Sequence, residues 1–235
     1  MTQLEITLHW IYVAIMFGSA IVFSVWSRDP RHIPPHKYLL HILIVVWSGL
    51  AYSAIALDQG YLFSEGQKVV YARYIDWIIS TPLLVMALSF TGMLLVDKVG
   101  WLKGSLLFTQ VVMIATGLVA ELSPASKQWY WYVMGCVALV IILYLFWVPL
   151  YRLAKSQGRE LAEVYKKSAV FLTVQWILYP SVWLIGTMGL GIIDSALTTV
   201  LYIILPIVSK AGFGFYNLSL LRNMKDKKEL KHNPA

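Results

Sequence analysis

Apolar residues run along this chain in seven long blocks, at about 6–26, 38–57, 70–95, 101–122, 129–150, 168–189 and 195–221, separated by short stretches holding charges, Pro or Gly. Each is near or above the twenty residues that, at 1.5 Å per residue, carry a helix across a hydrocarbon core of roughly 30 Å. In lipid the backbone N–H and C=O groups must be satisfied internally, so blocks of this length and number mean helices and not strands. The pattern predicts an all-α, seven-transmembrane-helix bundle within residues 1–222 and a polar, disordered tail over 223–235. Pro82, Pro180 and Pro206 fall inside blocks, where each removes a helix hydrogen bond and favours a kink that helps shape an internal cavity. The residues before the first block lack the basic region and small-residue cleavage site of a signal peptide, so it reads as a permanent helix.

Composition agrees with the pattern. Of 235 residues, 59% are apolar and only 13% charged, which excludes a soluble enzyme or a disordered chain. The net charge of +7 is compatible with nucleic-acid binding until the positions of the charges are read. Arg28, Arg31 and Lys37 lie between the first two blocks, Lys98 and Lys103 between the third and fourth, and Arg152, Lys155, Arg159, Lys166 and Lys167 between the fifth and sixth. Arg222, Lys225, Lys227, Lys228 and Lys231 follow the seventh, while the alternate connections hold only Lys68 and Lys127. The positive-inside rule then predicts an extracellular N-terminus and a cytoplasmic C-terminus in a lipid bilayer, and no nucleic-acid partner. Cys136 is the only cysteine, so neither an intrachain disulfide nor a cysteine-rich metal site is possible. No metal-binding group or nucleophile–base pair stands out, which argues against an enzyme.

Two blocks carry ions at membrane depth. Lys210 sits near the middle of the seventh, twelve residues before Arg222 and so about 18 Å from it along a helix, too far for its stem to reach the interface. Two roles fit: a buried ion pair with a structural job, or an amine used chemically, since desolvation penalises a charged ammonium and favours the neutral amine that condenses with an aldehyde. In the third block Arg73, Asp76, Trp77 and Ser80 recur at i, i+3, i+4 and i+7, one stripe of a helix. A carboxylate at that depth needs a cation, and Asp76 and Lys210 are the natural pair, with a local Arg73 and Asp76 pair as the structural alternative. Trp176, Tyr179, Pro180 and Trp183 make an aromatic stripe in the sixth block. Such a stripe is either lipid-facing packing or the wall of a site for a flat apolar ligand.

These residues resemble the motifs of the microbial rhodopsins. Arg73-Tyr74-x-Asp76-Trp77-x-x-Ser80-Thr81-Pro82-Leu83-Leu84 is similar to their third-helix signature, Trp176-x-x-Tyr179-Pro180-x-x-Trp183 to the pocket motif of the sixth helix, and Ser209-Lys210-x-Gly212-Phe213 to the lysine motif of the seventh. The resemblance implies all-trans retinal bound to Lys210 as a protonated Schiff base with Asp76 as counterion. It further implies a pocket built from Trp77, Thr81, Met113, Gly117, Trp131, Tyr132, Trp176, Tyr179, Trp183 and Pro206, with Tyr52 near the counterion and a homo-oligomer, a trimer by family.

Departures narrow the branch. Outward proton pumps of the family carry a second aspartate four residues before the lysine and many carry a carboxyl donor eleven residues after the counterion; here those positions are Pro206 and Ala87. Together with Asp76 and Ser80 they resemble the xenorhodopsins, which include inward proton pumps and photochromic sensors. With one counterion on the outer side and no donor on the inner, the expected activity is inward proton transport. A sensor signalling to a soluble cytoplasmic transducer is the alternative. In xenorhodopsins an aspartate commonly sits seven residues after the lysine and helps accept the proton; here it is Asn217, which cannot ionise. His41, at the same depth by helix bookkeeping, is the nearest titratable candidate, and a plain hydrogen-bonded histidine is its other reading.

Overall fold

The computed structural model describes residues 2–31, 33–64, 67–96 and 99–224. Among these, seven helices are long and apolar enough to cross a membrane. They are α1 (Gln3–Arg28), α2 (Pro35–Ala56), α3 (Tyr71–Gly92), α4 (Gly100–Leu122), α5 (Ala125–Lys155), α6 (Arg159–Ile185) and α7 (Ser195–Arg222). Lys98, Lys225, Lys227, Lys228 and Lys231, and the tail from residue 225 onward, lie outside the described residues.

Local chemistry starts these helices. Thr2 and Glu5 form a reciprocal capping box on α1. Pro35 opens α2 in the first turn, where its missing N–H costs nothing. Asp194 accepts from the Leu197 N–H at the head of α7. Helices consecutive in sequence pack side by side, α7 returns against α1, and α3 crosses the middle to touch α6. Between α2 and α3 the chain makes a short antiparallel hairpin, β1 (Leu62–Ser64) with β2 (Gln67–Val69), which the hydrophobic pattern does not predict because it lies outside the apolar blocks.

Two boundaries depart furthest from the expected ones, for one physical reason. The sixth helix starts at Arg159, well before the apolar block at 168, and the fifth runs on to Lys155. A hydropathy pattern registers only what lipid covers, whereas Leu161, Ala162, Val164 and Tyr165 continue the helix amphipathically and are buried against the bundle. Gln157 in the turn between them ties off α3: its Nε2 donates to the Gly92 carbonyl at 2.6 Å and its Oε1 accepts from the Leu95 N–H at 2.7 Å. Lys37, counted above among the loop charges, is instead buried, with Nζ donating to the Phe90 carbonyl at 2.7 Å, a cation set on the C-terminal end of α3.

Candidate functional site

At the centre of the bundle Lys210 of α7 and Asp76 of α3 are both buried, and Lys210 Nζ forms an ion pair with Asp76 Oδ2. A third helix completes the pair. Ser48 Oγ of α2 accepts from Lys210 Nζ at 2.8 Å and donates to Asp76 Oδ2 at 3.0 Å, and it hydrogen-bonds the Tyr12 hydroxyl of α1. Oδ1 of Asp76 is buried without a hydrogen-bond partner, an acceptor left over beside the amine.

The backbone around Lys210 is not regular α-helix. Residues Ile207–Gly212 form a π-helical segment immediately after Pro206. Proline has no N–H to give the carbonyl four residues earlier, that of Tyr202, and the Tyr52 hydroxyl of α2 donates to it at 2.9 Å instead. Tyr52 in turn stacks on Tyr12 at 3.9 Å between ring centroids and has Lys210 Nζ 6.0 Å from its own. Pro206 is thus a device that widens α7 at the lysine and lends a carbonyl to α2.

Beside this pair lies an apolar cavity of about 100 Å³ walled by α3, α4, α5, α6 and α7. Trp77, Thr81, Met113, Gly117, Tyr132, Trp176, Tyr179 and Trp183 all line it. The Tyr132 and Trp183 rings stack at 4.6 Å, Tyr179 meets Trp77 edge-on at 5.2 Å, and the Tyr179 hydroxyl reaches Ser209 Oγ at 2.9 Å, next to the lysine. Two expected lining residues are corrected. Trp131 does not line the cavity: the inward stripe of α5 is Tyr132, Gly135, Cys136 and Leu139, and a residue one position away is turned aside by about 100°. Pro206 is buried but also does not line it, because its contribution is to the backbone.

The remaining candidates separate by depth. Ser80 Oγ donates back to the Asp76 carbonyl at 2.8 Å and does not join the ion pair. Arg73 makes no ion pair with Asp76; its guanidinium lies over the Tyr202 ring at 5.0 Å and lines a second, polar cavity at the amino-terminal end of the bundle. On the opposite side of Lys210, His41 and Asn217 meet, with Nε2 and Oδ1 3.3 Å apart. Asn217 Nδ2 bonds Thr91 Oγ1 at 3.1 Å and Ser168 Oγ at 2.9 Å, closing a buried polar cluster of α2, α3, α6 and α7.

Sequence reasoning missed Ser48, Tyr12, Gln110 and Glu121. Ser48 had a signal: His41, Ser48 and Tyr52 share one face of α2 at i, i+7 and i+11. Gln110 Nε2 donates to Thr81 Oγ1 at 2.7 Å from α4, and no local pattern marks it. Glu121, at the end of the fourth block, has the sequence signature of an interface residue.

The cavity suits a long, flat, apolar ligand, and the amine and the unpartnered carboxylate oxygen suit a cation fixed at Lys210. Known proteins resemble the chain in sequence and fold. The sequence model described as bacteriorhodopsin-like protein matches residues 3–224. The chain is 36% identical over 225 residues to the bacteriorhodopsin of Halobacterium salinarum, covering 92% of this chain and 83% of that one. It is 30% identical over 222 residues to sensory rhodopsin-2 of Haloarcula vallismortis, covering 94% and 92%. Its fold matches the crystal structure of the thermophilic rhodopsin from Rubrobacter xylanophilus with a TM-score of 0.87 at 29% identity, over 92% of this chain and 95% of that one.

Proposed function

The chain belongs to the bacteriorhodopsin-like family of microbial rhodopsins, multi-pass membrane proteins that bind retinal, and from that premise we propose that it is a light-driven inward proton pump of the xenorhodopsin branch. In this reading all-trans retinal is held covalently by Lys210, between the rings of Trp77, Tyr132, Trp176, Tyr179 and Trp183, and the N-terminus faces outward. Bound there, retinal supplies photon absorption and isomerisation. The chain's own residues decide where the proton at Lys210 Nζ goes.

The observation that carries the reading is the distribution of acids about Lys210. On the amino-terminal side Asp76 is its one carboxylate partner among the described residues, and the position four residues before the lysine holds Pro206. A single carboxylate, held by Ser48 and neutralised by the lysine, draws a proton outward less strongly than two would. On the other side Ala87 offers no donor to refill an emptied nitrogen, while His41, bonded to Asn217 and with Nδ1 unpartnered, supports a relay that accepts the proton. The net step is release from Lys210 Nζ towards His41 and the cytoplasm, then return of a proton from outside by way of Asp76.

The test is the external pH of illuminated, retinal-loaded cells. Inward pumping alkalinises the medium, and an uncoupler abolishes the signal. Acidification overturns the proposal. No change favours a photochromic sensor, a reading kept in view by the likeness to sensory rhodopsin-2. His41→Ala slows deprotonation at Lys210 Nζ, or reduces inward transport, by more than Asn217→Ala does; a normal photocycle and normal transport in that variant would mean the proton leaves through transient water.

A further inference from the structure

The amino-terminal end of the bundle holds a polar chamber of about 610 Å³ that the mechanism above does not use. Its ionisable lining comprises Glu5 and His9 of α1, Tyr61 and Lys68 beside and in the hairpin, Arg73 of α3, Glu121 of α4 and Tyr202 of α7. Trp183 and Tyr202 line both this chamber and the ligand cavity, so the two are separated by the thickness of these side chains.

Glu121 differs from the other acid there. Glu5 is engaged in the capping box of α1, whereas Glu121 has no basic nitrogen within 4 Å among the described residues. It is half-buried at the last turn of α4, one turn beyond Gly117, where a Cβ would stand 3.4 Å from the Tyr74 ring, and the Tyr74 phenol is an electrostatic neighbour of the Glu121 carboxyl. Tyr74 itself lines the ligand cavity. Arg73 lines the same chamber and its charge acts on Glu121; it rests on Tyr202 and sits one helical turn from Asp76. A carboxyl with chamber access, a tyrosine partner and an arginine shared with the counterion's helix has the parts of a proton-exchange site.

We propose that Glu121 is the protonatable group of this chamber: it exchanges its proton with the medium there, and its charge acts through Arg73 and Tyr74 on the proton affinity of Asp76. Assigning the chamber to the outside rests on the orientation proposed above; the proton exchange does not depend on the direction of transport. The remaining charged groups of the chamber set the background, with His9 anchored by Nδ1 to the Glu5 carbonyl at 2.7 Å and Lys68 over the Tyr61 ring at 3.8 Å.

The test is infrared difference spectroscopy of the dark, retinal-loaded protein in phosphatidylcholine vesicles as the pH of the medium is stepped. The wild type should show a carboxyl stretching band that comes and goes with pH, Glu121→Gln should lack it, and Glu121→Asp should restore it at a displaced midpoint. In Glu121→Gln the pH titration of the visible band, which reports Asp76, should move by about one pH unit, tenfold in proton affinity. Identical carboxyl difference spectra in wild type and Glu121→Gln overturn the proposal. If Glu121→Gln does not take up retinal, the infrared titration of both proteins without retinal decides in the same way. Light-driven acidification alongside a Glu121 band that titrates as expected overturns only the inward direction.

Discussion

Lys210 and Asp76 cost several kcal/mol each to desolvate, and they persist at the centre of the bundle because each meets the other and Ser48 bonds both. Removing one member therefore leaves a buried charge uncompensated. Lys210→Ala should abolish visible absorption with retinal, since Lys210 is the lysine whose amine lies buried beside the aromatic cavity; an unchanged visible band would refute the attachment. Asp76→Asn should give a red-shifted or easily deprotonated pigment and lower stability by about 3–5 kcal/mol, read from the pH titration of the colour and from thermal melting. Ser48→Ala keeps the charges but takes a donor from Asp76 and an acceptor from Lys210. It should cost about 1–3 kcal/mol and shift the absorption band without abolishing it.

Within the elements, α7 departs from regular geometry at the buried lysine. Its π-segment follows Pro206, and the carbonyl that Pro206 cannot serve is taken by Tyr52. Tyr52→Phe leaves the Tyr202 carbonyl buried and unsatisfied, and should lower stability by about 1–3 kcal/mol while retaining pigment formation. One turn after the lysine, Gly214 allows α7 to approach α1 and α2, because a Cβ there would lie 2.6 Å from Phe23 and 3.3 Å from His41 Nδ1. Gly214→Val should destabilise by roughly 1–3 kcal/mol and disturb the His41 and Asn217 contact, which slows proton movement on that side. Wild-type melting and kinetics in this variant would mean that the helices separate freely at this point.

For the whole molecule, the ring of helices encloses aromatic surface that has no other way to be filled than by a ligand or by collapse. Protein bleached of retinal should melt at least ~5 °C lower than the loaded form, which corresponds to about 2 kcal/mol for a chain of this size. Equal melting temperatures would show that the cavity closes without loss.

The number and helical nature of the spans, the presence of ions at membrane depth and the aromatic stripe of α6 are determined by the sequence alone, because length, charge and period are local quantities. Arg73, Asp76, Lys210 and the cavity-lining rings Trp176, Tyr179 and Trp183 are legible for the same reason: each is costly or periodic where it stands. Only the tertiary structure decided what meets what. Ser48 joins the ion pair from α2, Gln110 reaches Thr81 from α4, Tyr52 serves a carbonyl that Pro206 cannot, and Trp131 is turned away where its neighbour Tyr132 faces in. Small hydroxyl and amide groups leave almost no mark on hydropathy, and their partners are tens of residues away or more, so only the packing of the helices brings them into reach. Glu121 belongs with these, an acid at the end of an apolar block until the fold sets Tyr74, Arg73 and the chamber around it.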